Sequence, residues 1–209
     1  MKVIAILGSP RKNGNTAAAL QIIGNELNKE GIDFEMLQIG HLAIRGCVGC
    51  KGCYRNLNEK CVFGDDIVNQ AIAKMKSADG IILGSPVYFA GIAGTMKSFL
   101  DRVFYVSGAN GMLLRGKVAA AVAAVRRSGG SHTLDGLNHY ITYGEMIVVS
   151  STYWNIVHGR EAGEMPQDAE GVQTMEMLGR NMAWLLKMKE SAGIAQPECV
   201  AKVYTSLVK

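Results

Sequence analysis

Short apolar segments alternate with helical patterns along most of this chain, and this alternation is the strongest constraint on its fold. Five segments are typical of β-strands: residues 2–7, 33–39, 79–87, 117–125 and 145–150. Several of them are almost continuously apolar, which indicates strands buried on both faces, as in a parallel sheet. Five further segments have helical periodicity: 16–31, 65–78, 94–106, 135–144 and 171–189. The chain is therefore predicted to be an α/β protein with a doubly wound parallel sheet.

The number of strands predicts their order in the sheet. A doubly wound five-stranded parallel sheet is expected to take the flavodoxin-like order 2-1-3-4-5, with helices on both faces. The length of 209 residues fits a single domain over 1–209. Two loops interrupt the regular pattern, a cysteine-rich loop at 46–64 and a long loop at 150–170. Loops as long as the second usually cover a site or an interface.

Composition excludes several classes of protein. The chain is 48% hydrophobic and 19% charged, which is typical of a soluble globular protein. Its apolar runs are too short for a membrane helix or a signal peptide. We therefore expect a cytoplasmic protein, in which thiols stay reduced and disulfides are rare. The net charge of +4 comes from scattered basic residues, so nucleic-acid binding is not expected.

The first predicted strand ends in a loop that suits a phosphate group. Ligands of open parallel sheets bind beyond the carboxyl ends of the strands where the order reverses, here between strands 1 and 3. The loop GSPRKNGNT, residues 8–16, combines a helix N-terminus with an arginine and polar donors. It matches neither the P-loop nor the dinucleotide-binding pattern. The predicted phosphate ligands are Ser9, Arg11, Asn13, Asn15 and Thr16.

Two further loops are predicted at the same edge of the sheet. After strand 3, the segment 85–102 combines glycines, which allow close backbone approach, with the flat apolar surfaces of Pro86, Tyr88 and Phe89. This combination suits a planar heteroaromatic ring. After strand 4, the loop RRSGGSHT at 126–133 lies where the far edge of such a ring would be.

These motifs resemble those of the flavodoxin-like NADPH-dependent FMN reductase superfamily, and more narrowly those of its iron–sulfur flavoproteins. The loop 8–16 resembles the family's GSPR-x-x-(G)-N-T, and 85–102 resembles its SP-x-Y…K-x-(F)-x-D-R. The segment 163–186 is similar to the family's C-terminal helix. The resemblance covers nearly the whole chain and implies noncovalently bound FMN.

The resemblance also implies which residues contact the flavin. The loop 8–16 would hold the FMN phosphate. One side of the isoalloxazine ring would be lined by Pro86, Val87, Tyr88, Phe89 and Gly91. The pyrimidine end of the ring would be approached by Arg126, Ser128, Gly129 and Gly130.

Four of the five cysteines follow the spacing C-x2-C-x2-C-x7-C: Cys47, Cys50, Cys53 and Cys61. Three cysteines at this spacing wrap a cubane in bacterial ferredoxins, where the fourth follows after three residues and precedes a proline. Here the fourth follows after seven residues, without a proline. Zinc, which usually takes two separated C-x2-C pairs, fits less well, and free thiols remain an alternative. Iron–sulfur flavoproteins have a similar cysteine motif after strand 2, and this resemblance favours a [4Fe–4S] cluster.

The sequence thus predicts an FMN-dependent redox protein that passes electrons between a [4Fe–4S] cluster and FMN. No side chain need act as acid or base, because the flavin itself carries the redox chemistry. The alternatives are an NAD(P)H-dependent FMN, quinone or azo-compound reductase without a cluster, an electron carrier, and a zinc-stabilised interaction module. NAD(P)H is therefore a candidate cosubstrate.

The expected partners are small redox donors or acceptors, with ferredoxin as one candidate. Neither a membrane nor a nucleic acid is expected. Related flavoproteins imply a homodimer or homotetramer, for which the long loop at 150–170 and the last helix are the predicted contact.

Overall fold

Helices cover both faces of a largely parallel sheet. The computed structural model describes residues 1–200, 202–205 and 207. Its strands are β1 (Lys2–Leu7), β2 (Asp33–Gln38), β3 (Gly80–Tyr88), β4 (Gly91–Ile92), β5 (Val118–Val125), β6 (Ile147–Val148) and β7 (Ile156–His158). Its α-helices are α1 (Asn15–Lys29), α2 (Gly52–Asn56), α3 (Val68–Ser77), α4 (Gly94–Ala109), α5 (Gly130–Tyr143) and α6 (Ala169–Ala192).

The sheet follows the path β2-β1-β3-β5-β6 and has seven strands within the described residues. The prediction of five strands is wrong, although the predicted segments occupy the expected relative order. β4 adds an antiparallel hairpin at the end of β3, and β7 adds a second parallel partner for β5.

The predicted fifth strand is divided between β6 and β7. β6 pairs with the start of β5, and β7 pairs with its end. Between them, the Ser151 hydroxyl lies 2.7 Å from the Tyr153 carbonyl oxygen and 2.6 Å from the Asn155 side-chain oxygen. This polar segment makes local contacts instead of extending the ladder. The segment 150–170, which the sequence predicts to be a loop, thus contains the strand β7.

Alternation along β1 places one core on each side of the sheet. Ile4 and Ile6 belong to the core formed with α3, α4 and α5. Val3, Ala5 and Leu7 belong to the core formed with α1 and α6. Because successive strand residues point to opposite faces, a continuously apolar strand fills both cores.

All five predicted helices are present, as α1, α3, α4, α5 and α6, with somewhat different limits. α5 begins at Gly130, five residues before the predicted start at 135, because the Gly129-Gly130 turn leads directly into the helix. The short helix α2 lies within the cysteine-rich segment and was not predicted. Within the described residues, the structure has no helix long and apolar enough to cross a membrane.

Candidate functional site

A crevice of about 190 Å³ opens at the carboxyl ends of β1, β3 and β5, where the strand order reverses. It brings together most of the predicted phosphate loop and part of each of the two other predicted loops. Its lining is Ser9, Arg11, Gly14, Asn15, Thr16, Pro86, Val87, Tyr88, Ala124, Arg126, Gly159 and Arg160. Asn13 is exposed and is not part of this lining.

The loop between β1 and α1 provides the anion-binding end of the crevice. The buried Ser9 accepts a hydrogen bond on its hydroxyl from the Arg11 backbone N–H, at 3.2 Å. α1 begins directly after Gly14, which provides no side-chain cap. The first N–H groups of a helix have no intrahelical partner and carry the positive end of its dipole. This end of the crevice is therefore suited to a phosphate.

Asn15 has a structural contact that its position in the motif does not reveal. Its side-chain oxygen accepts a hydrogen bond from the Met165 backbone N–H, at 3.2 Å, in a buried environment. A Cβ added to Gly159 would lie 2.5 Å from the Asn15 amide nitrogen. Asn15 therefore joins the start of α1 to the segment after β7, in addition to lining the crevice.

Arg160 also lines the crevice, and sequence analysis missed it. The Arg11 guanidinium donates a hydrogen bond to the Arg160 carbonyl, at 3.2 Å. The side chains of Arg11 and Arg160 lie 4.0 and 3.2 Å from carboxylate oxygens of Glu161. A phosphate in the crevice would compete with this exposed carboxylate for both guanidinium groups. No motif marks Arg160, because it reaches the crevice only through the position of β7.

The β3–β4 hairpin forms the second wall. Val87 and Tyr88 pair with Ile92 and Gly91 across a two-residue turn. The turn residues Phe89 and Ala90 have φ values of 49° and 59°, a left-handed conformation that is costly for residues with a Cβ. Phe89 is fully exposed at the tip, outside the crevice lining.

Gly91 lies on the far side of the hairpin. It lines a separate cavity of about 630 Å³, together with Lys97 of α4 and polar residues of α5. This cavity adjoins the hairpin but is distinct from the crevice.

The third predicted loop lies partly in the crevice and partly beside it. Arg126 lines the crevice, whereas Ser128, Gly129 and Gly130 line an adjacent cavity of about 300 Å³. Gly129 has φ +88°, and a Cβ added there would lie 2.5 Å from the Ala90 Cα. Only glycine permits this close packing of the third loop against the hairpin.

The four clustered cysteines line one small cavity between their loop and α4. The cavity has a volume of about 20 Å³. Cys53 is buried, Cys61 is half-buried, and Cys47 and Cys50 are exposed. Burial raises the pKa of the Cys53 thiol, because the thiolate is poorly solvated there. Among the residues that the structure describes, the lining of this cavity contains the four thiols but no carboxylate or imidazole group.

The backbone of the cysteine loop is tightly folded. Gly49 and Lys51 have positive φ values of 65° and 57° and bracket Cys50. A Cβ added to Gly52 would lie 2.2 Å from a methyl carbon of Val62. These contacts bring the start of α2 close to the segment that carries Cys61.

Comparison with known proteins decides the family. Residues 1–161 match the family model described as NADPH-dependent FMN reductase. The chain belongs to this family. It is 36% identical over 195 residues to an iron–sulfur flavoprotein of Methanocaldococcus jannaschii, a match that covers 90% of this chain and 98% of that protein. It is 27% identical over 191 residues to an iron–sulfur flavoprotein of Methanosarcina thermophila, covering 90% and 96% of the two chains.

Solved structures confirm the flavodoxin-like α/β fold. RosB with bound 8-demethyl-8-formylriboflavin-5'-phosphate superimposes with a TM-score of 0.74 at 13% identity, over 99% of this chain and 92% of that one. An archaeal flavodoxin superimposes with a TM-score of 0.59 at 18% identity, over 90% and 99%. Family membership and the flavoprotein relatives make this chain a flavin-dependent oxidoreductase that uses FMN.

In this member of the FMN reductase family, the residues that line the crevice are chemically suited to FMN. A helix N-terminus and two guanidinium groups stand at one end, and the apolar surfaces of Pro86, Val87 and Tyr88 stand along one wall. Phosphate and ring therefore each meet complementary groups.

The cysteine cavity fits an iron–sulfur cluster by its donors. Thiolates are the usual ligands of such clusters. Within the described residues, however, no group of three or more Cys, His, Asp or Glu side chains is arranged to hold a metal ion. A cubane is also larger than the cavity, so the loop would have to expand around it.

Proposed function

We propose that the protein is an iron–sulfur flavoprotein, in which electrons pass between a [4Fe–4S] cluster and FMN. The cluster ligands would be Cys47, Cys50, Cys53 and Cys61. The observation that carries this proposal is the arrangement of these four thiols around one cavity against α4. The names of the relatives as iron–sulfur flavoproteins support it.

FMN would occupy the crevice with its phosphate at the β1–α1 loop. Arg11 and Arg160 would neutralise the phosphate, and residues 86–88 would orient the isoalloxazine ring. Arg126 would lie near the pyrimidine end, where a positive charge favours the anionic reduced flavin. When bound, FMN exchanges electrons singly or in pairs, and thus connects one-electron and two-electron partners.

The two sites are linked by α4. The helix begins at Gly94, directly after the hairpin, and Arg102 lines the cysteine cavity two turns later. Eight residues of α-helix span about 12 Å. The crevice wall and the cysteine loop are therefore supported by one rigid element at short separation.

A second candidate is an NAD(P)H-dependent FMN, quinone or azo-compound reductase with unoccupied thiols. The matched family supports it, and so does the cavity of about 630 Å³ beside the hairpin, which has room for part of a cosubstrate. The two candidates differ in whether cysteine ligands are needed for FMN reduction.

The test compares anaerobic wild-type protein with Cys53→Ser. Reduced ferredoxin and NADPH are offered separately, and FMN reduction is followed by absorbance. The proposal predicts that wild-type FMN is reduced by ferredoxin and that Cys53→Ser loses this reaction while retaining FMN. Equal rates in both proteins with NADPH, and no cluster absorbance in wild type, would instead identify a reductase.

The expected setting and partners follow from the same proposal. A cytoplasmic location would keep the thiols reduced. Exposed aromatic side chains of the segment 150–170 and of α6, namely Tyr153, Trp154 and Trp184, are the candidate surface for a homodimer or homotetramer. Sedimentation of the FMN-loaded protein tests this, and a monomer at micromolar concentration would exclude it.

A further inference from the structure

Arg102 of α4 is a charged residue buried beneath the cysteine loop. It exposes only 1% of its surface, and its side chain is the largest of the fully buried side chains in the described chain. Arginine is rarely buried unless its charge is paired and its N–H groups are hydrogen-bonded. Its contacts therefore show what the buried charge serves.

The hydrogen-bond partners of Arg102 all lie on the loop that carries the cysteines or directly next to its ends. The guanidinium forms a two-pronged ion pair with Asp66. It also donates hydrogen bonds to the backbone carbonyls of Phe63, at 2.9 Å, and Arg45, at 3.4 Å. One side chain thus holds the segment before Cys47 and the segment after Cys61.

The remaining donor of Arg102 points at a cysteine. Its Nε lies 3.3 Å from the Cys61 sulfur, within hydrogen-bonding distance. Asn69 fixes the same residue through its backbone, accepting from the Cys61 N–H at 2.8 Å and donating to the Cys61 carbonyl at 3.0 Å. Cys61, which the sequence separates from the other three cysteines, is thus held from both its backbone and its side chain.

Arg102 belongs to a motif that the FMN crevice does not explain. It is the last residue of the K-x-F-x-D-R pattern, and its neighbour Asp101 has other partners, accepting hydrogen bonds from Lys97 of α4 and from the Tyr140 hydroxyl of α5. The two residues therefore attach α4 to different elements, Asp101 to α5 and Arg102 to the cysteine loop.

Hydrogen bonds and charge at cysteine sulfurs tune iron–sulfur clusters. Hydrogen bonds to the sulfurs, net charge and solvent exposure set the reduction potential of a cluster. Groups that hydrogen-bond to a metal ligand without contacting the metal also contribute to metal affinity, and their loss typically lowers that affinity by about 10- to 100-fold. A buried guanidinium beside Cys61 has both properties.

We propose that Arg102 is the positioning residue of the cysteine site, which places Cys61 as the fourth ligand and raises the reduction potential of the cluster bound there. This inference rests on the proposed iron–sulfur function. The Asp66 carboxylate keeps the guanidinium oriented, so that its Nε remains directed at the sulfur.

The experiment uses anaerobic protein reconstituted with ferrous iron and sulfide. Arg102→Gln is compared with the double variant Arg102→Gln/Asp66→Asn, which does not leave the half-buried Asp66 carboxylate without its partner. Arg55→Gln is the matched control, because Arg55 also binds the cysteine loop, through the Cys50 carbonyl at 2.8 Å, but is exposed. Iron and sulfide content in the presence of a chelator, FMN content, unfolding temperature and cluster reduction potential are measured.

The proposal predicts that both Arg102 variants keep FMN, lose the cluster to chelator at roughly 10- to 100-fold lower concentration, and shift its potential downwards. Arg55→Gln should match wild type. Complete loss of the cluster in a folded, FMN-loaded double variant also supports the proposal.

Two results would overturn the inference. The first is a double variant with wild-type chelator resistance and potential. The second is a double variant that loses FMN and unfolds at the same temperature as its cluster is lost, since this indicates a purely structural role. If wild-type protein itself takes up no iron and sulfide, the proposed function fails, and the inference about Arg102 fails with it.

Discussion

Arg11 lies at the mouth of the crevice with most of its side chain exposed, next to the first turn of α1, which has no side-chain cap. A charge-assisted hydrogen bond is worth about 1.5–3 kcal/mol. Arg11→Ala should therefore raise the Kd for FMN by roughly 10- to 150-fold. Riboflavin, which lacks the phosphate, should bind wild type and variant equally.

Fluorescence titration of flavin-free protein measures both ligands. Lys12→Ala is the control, since Lys12 neighbours Arg11 but does not line the crevice. An equal loss of FMN and riboflavin binding in Arg11→Ala would show that the phosphate lies elsewhere.

Gly40 is the second residue on which the crevice depends. A Cβ there would lie 2.3 Å from the Ser9 carbonyl carbon, so the backbone of the phosphate loop would have to move. Overpacking of this kind costs about 1–3 kcal/mol. We expect Gly40→Ala to lower both the unfolding temperature and FMN affinity.

Gly94→Ala is the matched control for this prediction, because a Cβ at Gly94 has no neighbour within 4 Å. Thermal unfolding with and without FMN compares the two variants. Equal behaviour of Gly40→Ala and Gly94→Ala would contradict the close contact.

Residue types alone could predict the crevice only in part. Ser9, Arg11 and Thr16 lie in one short motif between the end of β1 and the first turn of α1, so their place in the motif also fixes their place in the fold. Arg160 could not be found this way, because it reaches the crevice through long-range pairing of β7 with β5. The role of Arg102 likewise depends on the packing of α4 against a loop more than 35 residues earlier, as its bond to Cys61 spans 41 residues.

At the scale of elements, the β3–β4 hairpin stores backbone strain beside the crevice. Ala90 has φ 59°, a conformation that costs an L-residue about 1–2 kcal/mol and glycine much less. Glycine loses more entropy on folding, by about 0.5–1 kcal/mol. Ala90→Gly should therefore increase the free energy of unfolding by up to about 1.5 kcal/mol.

Denaturant unfolding checks this change against Ala73→Gly. Ala73 is an exposed residue inside α3, where glycine should destabilise by about 1 kcal/mol. Destabilisation by both substitutions would contradict the strained turn.

The contact between α1 and α6 has an acid-sensitive ion pair. Glu26 of α1 is buried and binds Lys29 and Arg180, and hydrogen bonds from these two side chains lower its pKa from 4.5. A lowered folded-state pKa stabilises the protein above pH 4.5, and this contribution is lost as the pH falls through the folded-state value. Glu26→Gln should therefore show less acid destabilisation than wild type.

Unfolding free energies between pH 3 and pH 7 (about the range over which carboxylates titrate) measure this effect. Glu30→Gln is the control, since Glu30 pairs with Lys187 across the same two helices but is exposed. If wild type and Glu26→Gln lose stability in parallel as the pH falls, the ion pair does not contribute.

Elements with strong periodicity were predictable from the sequence, and those defined by tertiary contacts were not. The long strands and helices have apolar patterns that match their buried faces. β4, β7 and α2 have two to five residues each, too few for a periodic pattern, and they exist because the hairpin, β5 and the cysteine loop give them partners.

At the scale of the whole molecule, the crevice and the cysteine cavity both lie at the edge of the sheet where the parallel strands have their carboxyl ends. The loops after β1, β3 and β5 build the crevice, and the loop after β2 builds the cysteine cavity. This placement follows from parallel topology, in which all strands end at the same edge. The two sites are therefore close enough for the proposed electron transfer between them, which is the central claim of the proposed function.

The most direct test of this claim is the iron and acid-labile sulfide content per FMN of anaerobically purified protein. We expect one [4Fe–4S] cluster per FMN in wild type and in Cys199→Ser, whose exposed thiol lies outside the cysteine cavity. Cys53→Ser should retain FMN and lose the iron and sulfide. FMN-loaded wild-type protein without iron and sulfide after reconstitution, or with zinc in their place, would contradict the account.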